Sequence, residues 1–336
     1  MFLSNLIPIV IVAVIAGVLI RAGREPLWAE AYRRLFKDRQ VMVAIVIMML
    51  FVSVAVLDSI GWSKSKSETP QTIIDRVFKM EPERTYSAPM ATETMGEPHL
   101  HKLKHKHIFG TDGVGNDVFY LTLKGCRTAL IIGFLTQLIS MPLALLFGML
   151  AGYFGKFVDD FVQYVYTVLD SIPSVLLLIA ILMAMEMRGQ ERGLVQICIA
   201  LGVTSWVGLC RLVRGETLKH RDRDYVRAAR ALGVSHGRIM FRHILPNLLP
   251  ILIITATLGV SGNIIAETIL TYLQIGVPPG IGSWGNMIDA ARMELARQPA
   301  VWWNFTAASS AVLILVLCFN IFGDALRDAV DPRLRS

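Results

Sequence analysis

The sequence predicts an all-α polytopic membrane protein, and three observations lead to that prediction. Of its 336 residues, 54% are hydrophobic and 18% are charged, whereas soluble domains are about 45–50% apolar and about 25% charged. The mean hydropathy is +0.54. The apolar residues are concentrated in several long runs with few charges, and runs of this length cross a bilayer as helices. An ordinary soluble globular domain is therefore excluded.

The first apolar run, residues 2–20, carries no charge and is long enough to span the hydrocarbon. A cleaved signal peptide has Lys or Arg before its apolar core, but here the first charge follows the run. Basic residues remain in the cytoplasm, so the N-terminus is predicted to be extracytoplasmic. Residues 1–40 are thus expected to form an N-terminal anchor and a basic cytoplasmic segment. The six basic residues are Arg21, Arg24, Arg33, Arg34, Lys37 and Arg39.

The second run, residues 41–57, is predicted to be the first span of the core domain and to end outside the cytoplasm. The next stretch, residues 58–107, contains four prolines, many polar residues and little helical periodicity. This composition predicts a mostly irregular extracytoplasmic loop, poorly ordered over residues 64–100 unless a partner covers it. Together with an interfacial segment, it makes up region 58–128.

Further spans are predicted within region 129–323, which makes seven spans in all. Their alternation places loop 213–248 and the tail 324–336 in the cytoplasm, and loop 274–303 outside. Loop 213–248 carries eight Lys or Arg against three acidic residues, as the positive-inside rule requires. The predicted spans are 129–153, 162–185, 194–212, 249–273 and 304–323.

The most informative segment lies within that cytoplasmic loop and predicts a helix–turn–helix. The first short helix is expected to be capped by Asp222 or Asp224 and to stop at Gly233. The second is expected to begin near Ser235 and to break before Pro246.

Small and apolar residues in this segment suit docking into a groove of a soluble partner. Ala228 and Ala229 let another surface approach closely, while Tyr225, Leu232 and Ile239 are candidate apolar anchors. Two other interpretations are a solvated basic loop that only sets topology and a nucleic-acid-binding motif. We disfavour nucleic acid because both helices are short, are tethered to spans and have no core of their own.

Five motif segments follow one another along residues 30–336. They are GTDGVGND (110–117), GYFG (152–155) with Asp159, the stretch 228–246, GVPP (276–279) with SWGNM (283–287), and GDALRDAVDPR (323–333). In this order they resemble the C-type permease subunit of bacterial dipeptide and oligopeptide ABC importers. The resemblance implies a type I ABC importer transmembrane domain in the inner membrane, with a six-span core plus one extra N-terminal span.

The resemblance also implies a permease that forms half of a pathway for di- or oligopeptides. The expected partners are a second homologous permease, two ABC ATPases, an extracytoplasmic peptide-binding protein and membrane lipid. The chain contains no GxxxxGK[ST] phosphate loop, so ATP and Mg are expected in the partner ATPases, with no cofactor or catalytic residue here. Nickel, glutathione and antimicrobial-peptide importers are similar. A channel or membrane enzyme is a remote alternative, since no HExxH or GxSxG motif occurs in the spans.

Loop 213–248 corresponds to the ATPase-coupling loop of the family. Arg227 stands where the wider importer class has Glu, so a carboxylate contact to the ATPase is not implied. Bulk at Ala229 is expected to uncouple transport, whereas His236 is expected to lie nearer solvent. The residues assigned to coupling are Tyr225, Arg227, Ala228, Ala229, Leu232, Gly233, Ile239 and Pro246.

Polar residues inside predicted spans are candidates for function because an uncompensated carboxylate in hydrocarbon is costly. Asp170, Asn263 and Glu267 are the strongest candidates. They line a gate or pathway between the two permeases, or they form interhelical hydrogen bonds that fix packing. Both interpretations remain open at this point.

Histidines and cysteines suggest metal chemistry only weakly. In the segment 99–107, lysines alternate with four histidines, and we favour a solvated, mobile loop over a metal site. The cysteines lie in or beside apolar runs without CxxC spacing and are expected to be small buried hydrophobes. These residues are His99, His101, His105 and His107, and Cys126, Cys198, Cys210 and Cys318.

Overall fold

The computed structural model describes residues 35–62, 71–95, 101–190 and 192–330, and these residues are mostly helical, as predicted. The helices are α1 (Arg39–Leu57), α2 (Ile73–Phe78), α3 (Val118–Phe154), α4 (Lys156–Asp170), α5 (Ser174–Met187), α6 (Leu194–Arg221), α7 (Asp224–Ala231), α8 (His236–Ile239), α9 (Leu245–Tyr272), α10 (Trp284–Leu295) and α11 (Trp303–Val330). A π-helical turn, Met240–Ile244, joins α8 to α9. Strands β1 (Gly61–Trp62) and β2 (Gln71–Thr72) pair antiparallel.

Among the described residues, five helices are long and apolar enough to cross a membrane. They are α1, α3, α6, α11 and the continuous stretch His236–Tyr272 that contains α9. A sixth span is obtained when the bent pair α4 and α5 is taken as one. This number agrees with the predicted six-span core, while the predicted extra span at residues 2–20 lies outside the described residues.

The prediction of one continuous span at 162–185 was wrong. Helix α4 ends before Ser171, α5 begins after Pro173, and the two helices are bent by 89°. Proline has no N–H to donate, and it disfavours helical geometry at the preceding residue, Ile172. Average hydropathy does not reveal the break, because the few polar residues next to it, Asp170, Ser171 and Ser174, lie between two longer apolar stretches.

Several helices extend beyond the predicted spans. Helix α3 begins at Val118 rather than near 129, and α6 runs to Arg221 rather than 212. Helix α11 continues to Val330, so the predicted boundary between span and tail at 323 falls inside a helix. Helical hydrogen bonding continues through polar turns, whereas hydropathy marks only the apolar part of each helix.

The chain divides into two compact units. The first comprises the chain up to Gly133 together with Ser261–Phe322, and the second comprises Phe134–Val260 together with the chain from Gly323. Each unit is described by itself below. The long helices α3, α9 and α11 each contribute one part to each unit.

A buried charge network organises the first unit where α1 ends. The Lys124 Nζ atom on α3 donates to the Oδ1 atoms of Asp58 and Asp75, at 2.7 and 3.0 Å. The hydroxyl of Tyr120 also donates to Asp75 Oδ1, at 2.7 Å. Thr72 caps α2, and its hydroxyl donates to Asp58 Oδ1 at 2.8 Å. The prediction of an irregular loop is therefore wrong for residues 71–78, which form β2 and α2.

The prediction of a solvated histidine loop is also wrong at His107, whose side chain is 1% exposed. Its Nδ1 lies 2.6 Å from Asp117 Oδ2, and its Nε2 lies 3.7 Å from Glu83 Oε1. Asp117 also accepts from the Tyr120 N–H in the first turn of α3, so this histidine contacts the residue immediately before that helix. Among the described residues, no group of three or more metal-ligating side chains is placed to hold an ion.

Helix α10 lies in the region 274–303 that the sequence suggested was a loop. Ser283 caps it by accepting from the Gly285 N–H at 3.1 Å. Trp284 is 1% exposed, and its indole N–H donates to the Thr122 carbonyl of α3 at 2.9 Å. The helix is thereby anchored within the first unit.

The core of the second unit is built from α3, α4, α6 and the residues that follow α6, and it includes Trp206, Val226, Ile239 and Leu252. Helices α3 and α6 approach closely, because a Cβ atom on Gly152 would lie 2.7 Å from the Arg214 carbonyl oxygen. Only glycine fits this contact without displacing backbone. The end of α3 is therefore held against α6.

Candidate functional site

The candidate site is the two-helix loop, residues 222–244, which lies in the middle of the predicted loop 213–248. Gly233 has φ of +75° and stops α7, as predicted. The Gly233 N–H donates to the Arg230 carbonyl and the Val234 N–H donates to the Ala229 carbonyl, both at 3.0 Å. This pair of bonds is a Schellman motif, in which glycine is favoured because the terminating residue is left-handed.

The ends of the two short helices differ in part from the prediction. Arg223, rather than Asp222 or Asp224, occupies the N-cap of α7, and it makes no side-chain capping bond. Ser235 is at the N-cap of α8, as predicted. The predicted break before Pro246 does not occur, because the chain stays helical from His236 to Tyr272. The π-helical turn, in which the Leu245 N–H donates to the Met240 carbonyl, makes this continuity possible.

One face of the two-helix loop is buried against its own unit. Val226 and Ala229, three residues apart on α7, are 0% and 6% exposed, and Ile239 is 0% exposed. Ala229 and Ile239, predicted to contact a partner, are therefore core residues of this chain. Val226 was not among the predicted coupling residues, and the inner face of α7 was not identified from the sequence.

The remaining predicted coupling residues are exposed. Leu232 is 83% exposed, although leucine is usually buried. Tyr225 is partly exposed, and its hydroxyl lies 2.8 Å from His220 Nδ1. Burial raises the pKa of the Tyr225 hydroxyl, and the Arg223 guanidinium opposes this rise. The exposed set consists of Tyr225, Arg227, Ala228, Leu232, Gly233 and Pro246.

The outer face is basic. Four arginines there are exposed, and none has a carboxylate within ion-pair distance in the part of the chain that the structure describes. Of the nearby acids, Asp222 lies 3.6 Å from Arg221 and Glu216 pairs with Lys219, while the exposed Asp224 forms no ion pair among the described residues, so the face keeps an excess of positive charge. The four residues are Arg223, Arg227, Arg238 and Arg242.

Sequence reasoning missed the residue that supports the loop from inside. Tyr153, in the penultimate position of α3, is 4% exposed, and its hydroxyl lies 2.8 Å from His236 Nδ1. His236 is exposed, in agreement with the expectation that it lies nearer solvent, and one of its ring nitrogens contacts Tyr153. The GYFG motif (152–155) was a signal for this position, although it gave no partner.

Asp170, a candidate for the gate, has a charged partner in the second unit. It lies at the end of α4 and forms an ion pair with Arg211 of α6. The Arg211 guanidinium is also 4.8 Å from the centre of the Tyr166 ring. Asp170 is thus a compensated carboxylate, and its contacts agree with a packing role between helices. A role in gating stays a prediction.

Asn263 and Glu267, the other two candidates, lie four residues apart on α9 in the first unit. The Asn263 amide donates to the Gly133 carbonyl of α3 at 3.2 Å. Glu267 is 1% exposed, and its Oε1 accepts from the hydroxyls of Thr271 and Ser283 at 2.9 and 2.8 Å. Since Ser283 also caps α10, Glu267 connects the span to that helix. The structure groups these two residues in one unit and leaves Asp170 in the other.

Comparison with known sequences finds a family match over residues 144–336, to the binding-protein-dependent transport system inner membrane component. The chain is 29% identical over 309 residues to the oligopeptide transport system permease protein OppC of Bacillus subtilis (strain 168), covering 92% of this chain and 90% of that protein. It is 30% identical over 309 residues to the dipeptide transport system permease protein DppC of Alkalihalophilus pseudofirmus, covering 92% and 91%. The OppC protein of Haemophilus influenzae is 31% identical over 318 residues, covering 93% and 90%.

Comparison with solved structures finds the same fold in the MetNI methionine ABC transporter, determined in inward-facing conformations. The TM-score is 0.53 at 20% identity, and the match covers 64% of this chain and 98% of that chain. This likeness concerns the fold alone. It confirms the predicted class, a type I ABC importer transmembrane domain.

Proposed function

Because the chain belongs to the family of binding-protein-dependent transport system inner membrane components, we propose that it is a permease subunit of an ATP-driven importer of di- and oligopeptides. It forms half of the translocation pathway in the bacterial inner membrane. A second homologous permease forms the other half, and an extracytoplasmic binding protein delivers the peptide. Membrane lipid covers the apolar outer surface.

Energy for transport comes from two cytoplasmic ATPase subunits, which bind ATP and Mg. The sequence of this chain has no phosphate-binding loop, so it needs partners for hydrolysis. In this proposal the chain has no catalytic residue and no cofactor of its own. Its contribution is to convert movement of the ATPases into movement of the spans.

The observation that carries the proposal is the division of α7 into two faces. The inner face is fixed to the chain by Val226 and Ala229, while Ala228 and Leu232 on the other side are exposed. A small residue beside an exposed leucine allows a helix to enter a groove closely. A loop that served only to set topology would not need an exposed leucine, so this division favours a docking surface.

The basic outer face specifies the chemistry of the groove. Arg227 and Arg238 are exposed without a carboxylate partner among the described residues. Charged groups across an interface are arranged so that opposite signs meet. We therefore expect the ATPase groove to carry Asp or Glu residues, in contrast to importers in which the loop itself supplies the carboxylate.

The proposed orientation follows from the same charges. Basic loops are retained in the cytoplasm, so the two-helix loop and the C-terminus are cytoplasmic and the N-terminus is extracytoplasmic. The polar region before α3 then faces the binding protein. A reporter fused to each terminus tests this orientation directly, and activity of the N-terminal reporter only in the cytoplasm would contradict it.

Peptide is the proposed substrate because the relatives named above are dipeptide and oligopeptide permeases. Nickel, glutathione and antimicrobial peptides are the alternatives. Selectivity is expected mainly in the binding protein, so the ligand that co-purifies with that protein identifies the substrate. Uptake of a labelled dipeptide by proteoliposomes containing all subunits is the matching functional assay.

Replacing Ala228 with Trp tests the docking surface more sharply than replacing Ala229. Ala229 is buried in its own unit, so a bulky residue there would disturb the loop itself. Ala228 is exposed, and Trp at this position is expected to obstruct the partner groove. Overpacking of about 1–3 kcal/mol weakens association roughly tenfold to a hundredfold. We expect that loss in ATPase binding by the purified permease pair.

A matched control is Ala296→Trp, which places the same bulk at an exposed alanine after α10, outside the two-helix loop. This variant is expected to bind the ATPases as the unmodified chain does. Equal ATPase binding by the Ala228 and Ala296 variants would remove the two-helix loop from the coupling role.

A further inference from the structure

Tyr153, near the end of α3, contacts both helices of the two-helix loop. Its hydroxyl lies 2.8 Å from His236 Nδ1 at the start of α8, and it accepts from Arg230 Nε at 3.4 Å. Arg230 is in the last turn of α7, and its guanidinium carbon is 4.9 Å from the centre of the Tyr153 ring. One residue at the end of α3 thus contacts both helices of the two-helix loop.

The polar nature of these contacts argues for a specific role. Tyr153 is 4% exposed, and a buried hydroxyl is costly unless it is hydrogen-bonded. Because Arg230 donates to the hydroxyl oxygen, the O–H group is free to donate to His236 Nδ1. A Phe would supply the same ring for packing, so the hydroxyl adds a connection to the loop rather than apolar burial.

The span itself is held firmly at this point. Cβ atoms on Gly148 and Gly152 would lie 2.8 and 2.7 Å from carbonyl oxygens of α6. Arg221, the last residue of α6, also donates to the Gly152 carbonyl at 3.4 Å. A displacement of the two-helix loop that pulls on Tyr153 therefore moves a close-packed pair of helices rather than one flexible side chain.

We propose that Tyr153 is the positioning residue that transmits movement of the two-helix loop to helix α3, through its hydroxyl bonds to His236 and Arg230. The inference rests on the proposed function, since the movement arises when partner ATPases act on the loop. Tyr153 itself does not contact the ATPase in this proposal. The GYFG motif thus combines close helix packing at Gly152 with a connection to the loop at Tyr153.

The test is Tyr153→Phe in the full complex, reconstituted in proteoliposomes with the second permease, both ATPases and the binding protein. The ratio of dipeptide imported to ATP hydrolysed is measured together with ATPase binding. We expect ATPase binding to persist because the outer face of the loop is unchanged. Loss of hydrogen bonds at the joint is expected to lower the transport ratio about threefold to tenfold.

Two further variants separate transmission from general stability. His236→Ala removes one of the two hydroxyl bonds and is expected to lower the ratio by a smaller factor. The double variant is expected to lower it no further than Tyr153→Phe alone, because Tyr153→Phe already removes the bond to His236. Tyr164→Phe removes the hydroxyl of an exposed tyrosine on α4 and is expected to leave the ratio unchanged. Thermal denaturation of each complex reports its stability.

An unchanged ratio in Tyr153→Phe, with normal coupling in the unmodified complex, overturns the inference alone. Additive losses that parallel a fall in thermal stability also overturn it, because they indicate a packing role. Failure of the unmodified complex to couple ATP hydrolysis to dipeptide import instead overturns the proposed function, and the inference with it.

Discussion

Two of the polar regions that join described spans use their charges in opposite ways. In the first unit, Lys124 forms ion pairs with both Asp58 and Asp75, and all three side chains are largely buried. In the two-helix loop of the second unit, Arg227 and Arg238 are exposed and have no carboxylate partner among the described residues. The difference indicates that the charges of the first region stabilise the fold of this chain, whereas the arginines of the second region are free to bind a partner.

Two histidines show the same contrast at the level of single side chains. His107 is buried between Asp117 and Glu83, so it is enclosed by groups of its own unit. His236 is exposed and contacts the hydroxyl of Tyr153. The first residue joins fixed parts of the structure, whereas the second belongs to a joint that we propose moves during transport.

The largest expected effect comes from removing the shared cation of the first unit. Lys124→Met leaves two carboxylates facing each other with Arg127 as the remaining nearby cation. Unpairing a buried ion pair costs about 3–5 kcal/mol. We expect the free energy of unfolding to fall by about that amount, measured by thermal or chemical denaturation in detergent.

The control for this change is Lys79→Met, at an exposed lysine that has no ion pair in the described ranges. It is expected to alter the free energy of unfolding by less than about 0.5 kcal/mol. If both variants have the same free energy of unfolding as the unmodified chain, the network does not stabilise the first unit.

A smaller effect is expected from Asp75, through the dependence of stability on pH. Burial alone would raise the pKa of Asp75, but hydrogen bonds from the Thr72 N–H, Tyr120 and Lys124 outweigh it and lower the pKa to about 2, from 3.8. The folded chain therefore releases this proton more readily than the unfolded chain. Its contribution is complete above about pH 4 and is lost as the pH falls towards 2.

Asp75→Asn removes this contribution. We expect the variant to lose about 2 kcal/mol of stability at neutral pH and to show a weaker decline between pH 4 and 2. Glu93→Gln is the control, because Glu93 is exposed and has no side-chain hydrogen bond among the described residues. Denaturation curves that stay parallel across this pH range for all three proteins would contradict the role of Asp75.

The smallest effect is expected at the free charges of the second region. Arg227→Glu reverses one exposed charge and should weaken ATPase binding roughly fivefold to tenfold at low salt, because rim charges contribute modestly. The difference should shrink as ionic strength rises. Arg227→Lys keeps the charge and is expected to retain binding.

Arg188→Glu is the matched reversal, at an exposed arginine after α5 that has no ion pair among the described residues. It should leave ATPase binding unchanged at every salt concentration. Equal binding by the Arg227 and Arg188 reversals would show that the basic face of the loop does not meet an acidic groove, and would weaken the contrast between the two regions.

The fold class and most spans were predictable because an apolar run of about 20 residues matches the thickness of the bilayer hydrocarbon. The break at Pro173 was visible as a proline, but the apolar stretches beyond its polar neighbours keep the average hydropathy of 162–185 high. Helix α10 was missed because its capping residue, Ser283, lies in a segment whose glycines and prolines suggested a loop. Local sequence therefore identified the spans better than the connections between them.

The position of the two-helix loop in the chain was predictable from the sequence, but which face of α7 is buried was predictable only in part. Helical spacing alone does not separate the buried Val226 and Ala229 from the exposed Tyr225 and Leu232, because Tyr225 and Ala229 are four residues apart and lie near one face. The choice of inner face depends on contacts with helices distant in the sequence. For the same reason, the contact between Tyr153 and His236, 83 residues apart, was not predictable from periodicity.

The π-helical turn at Met240–Ile244 changes the direction in which the side chains of α8 point relative to those of α9. Buried Ile239 and Ile244 are five residues apart, whereas Ile244, Leu248 and Leu252 follow at intervals of four. In an uninterrupted α-helix, five residues advance the side chain by about 500°, which would turn Ile239 about 140° away from Ile244. The wider turn absorbs one extra residue, so the short helix of the loop and the long span present their apolar sides in a common direction.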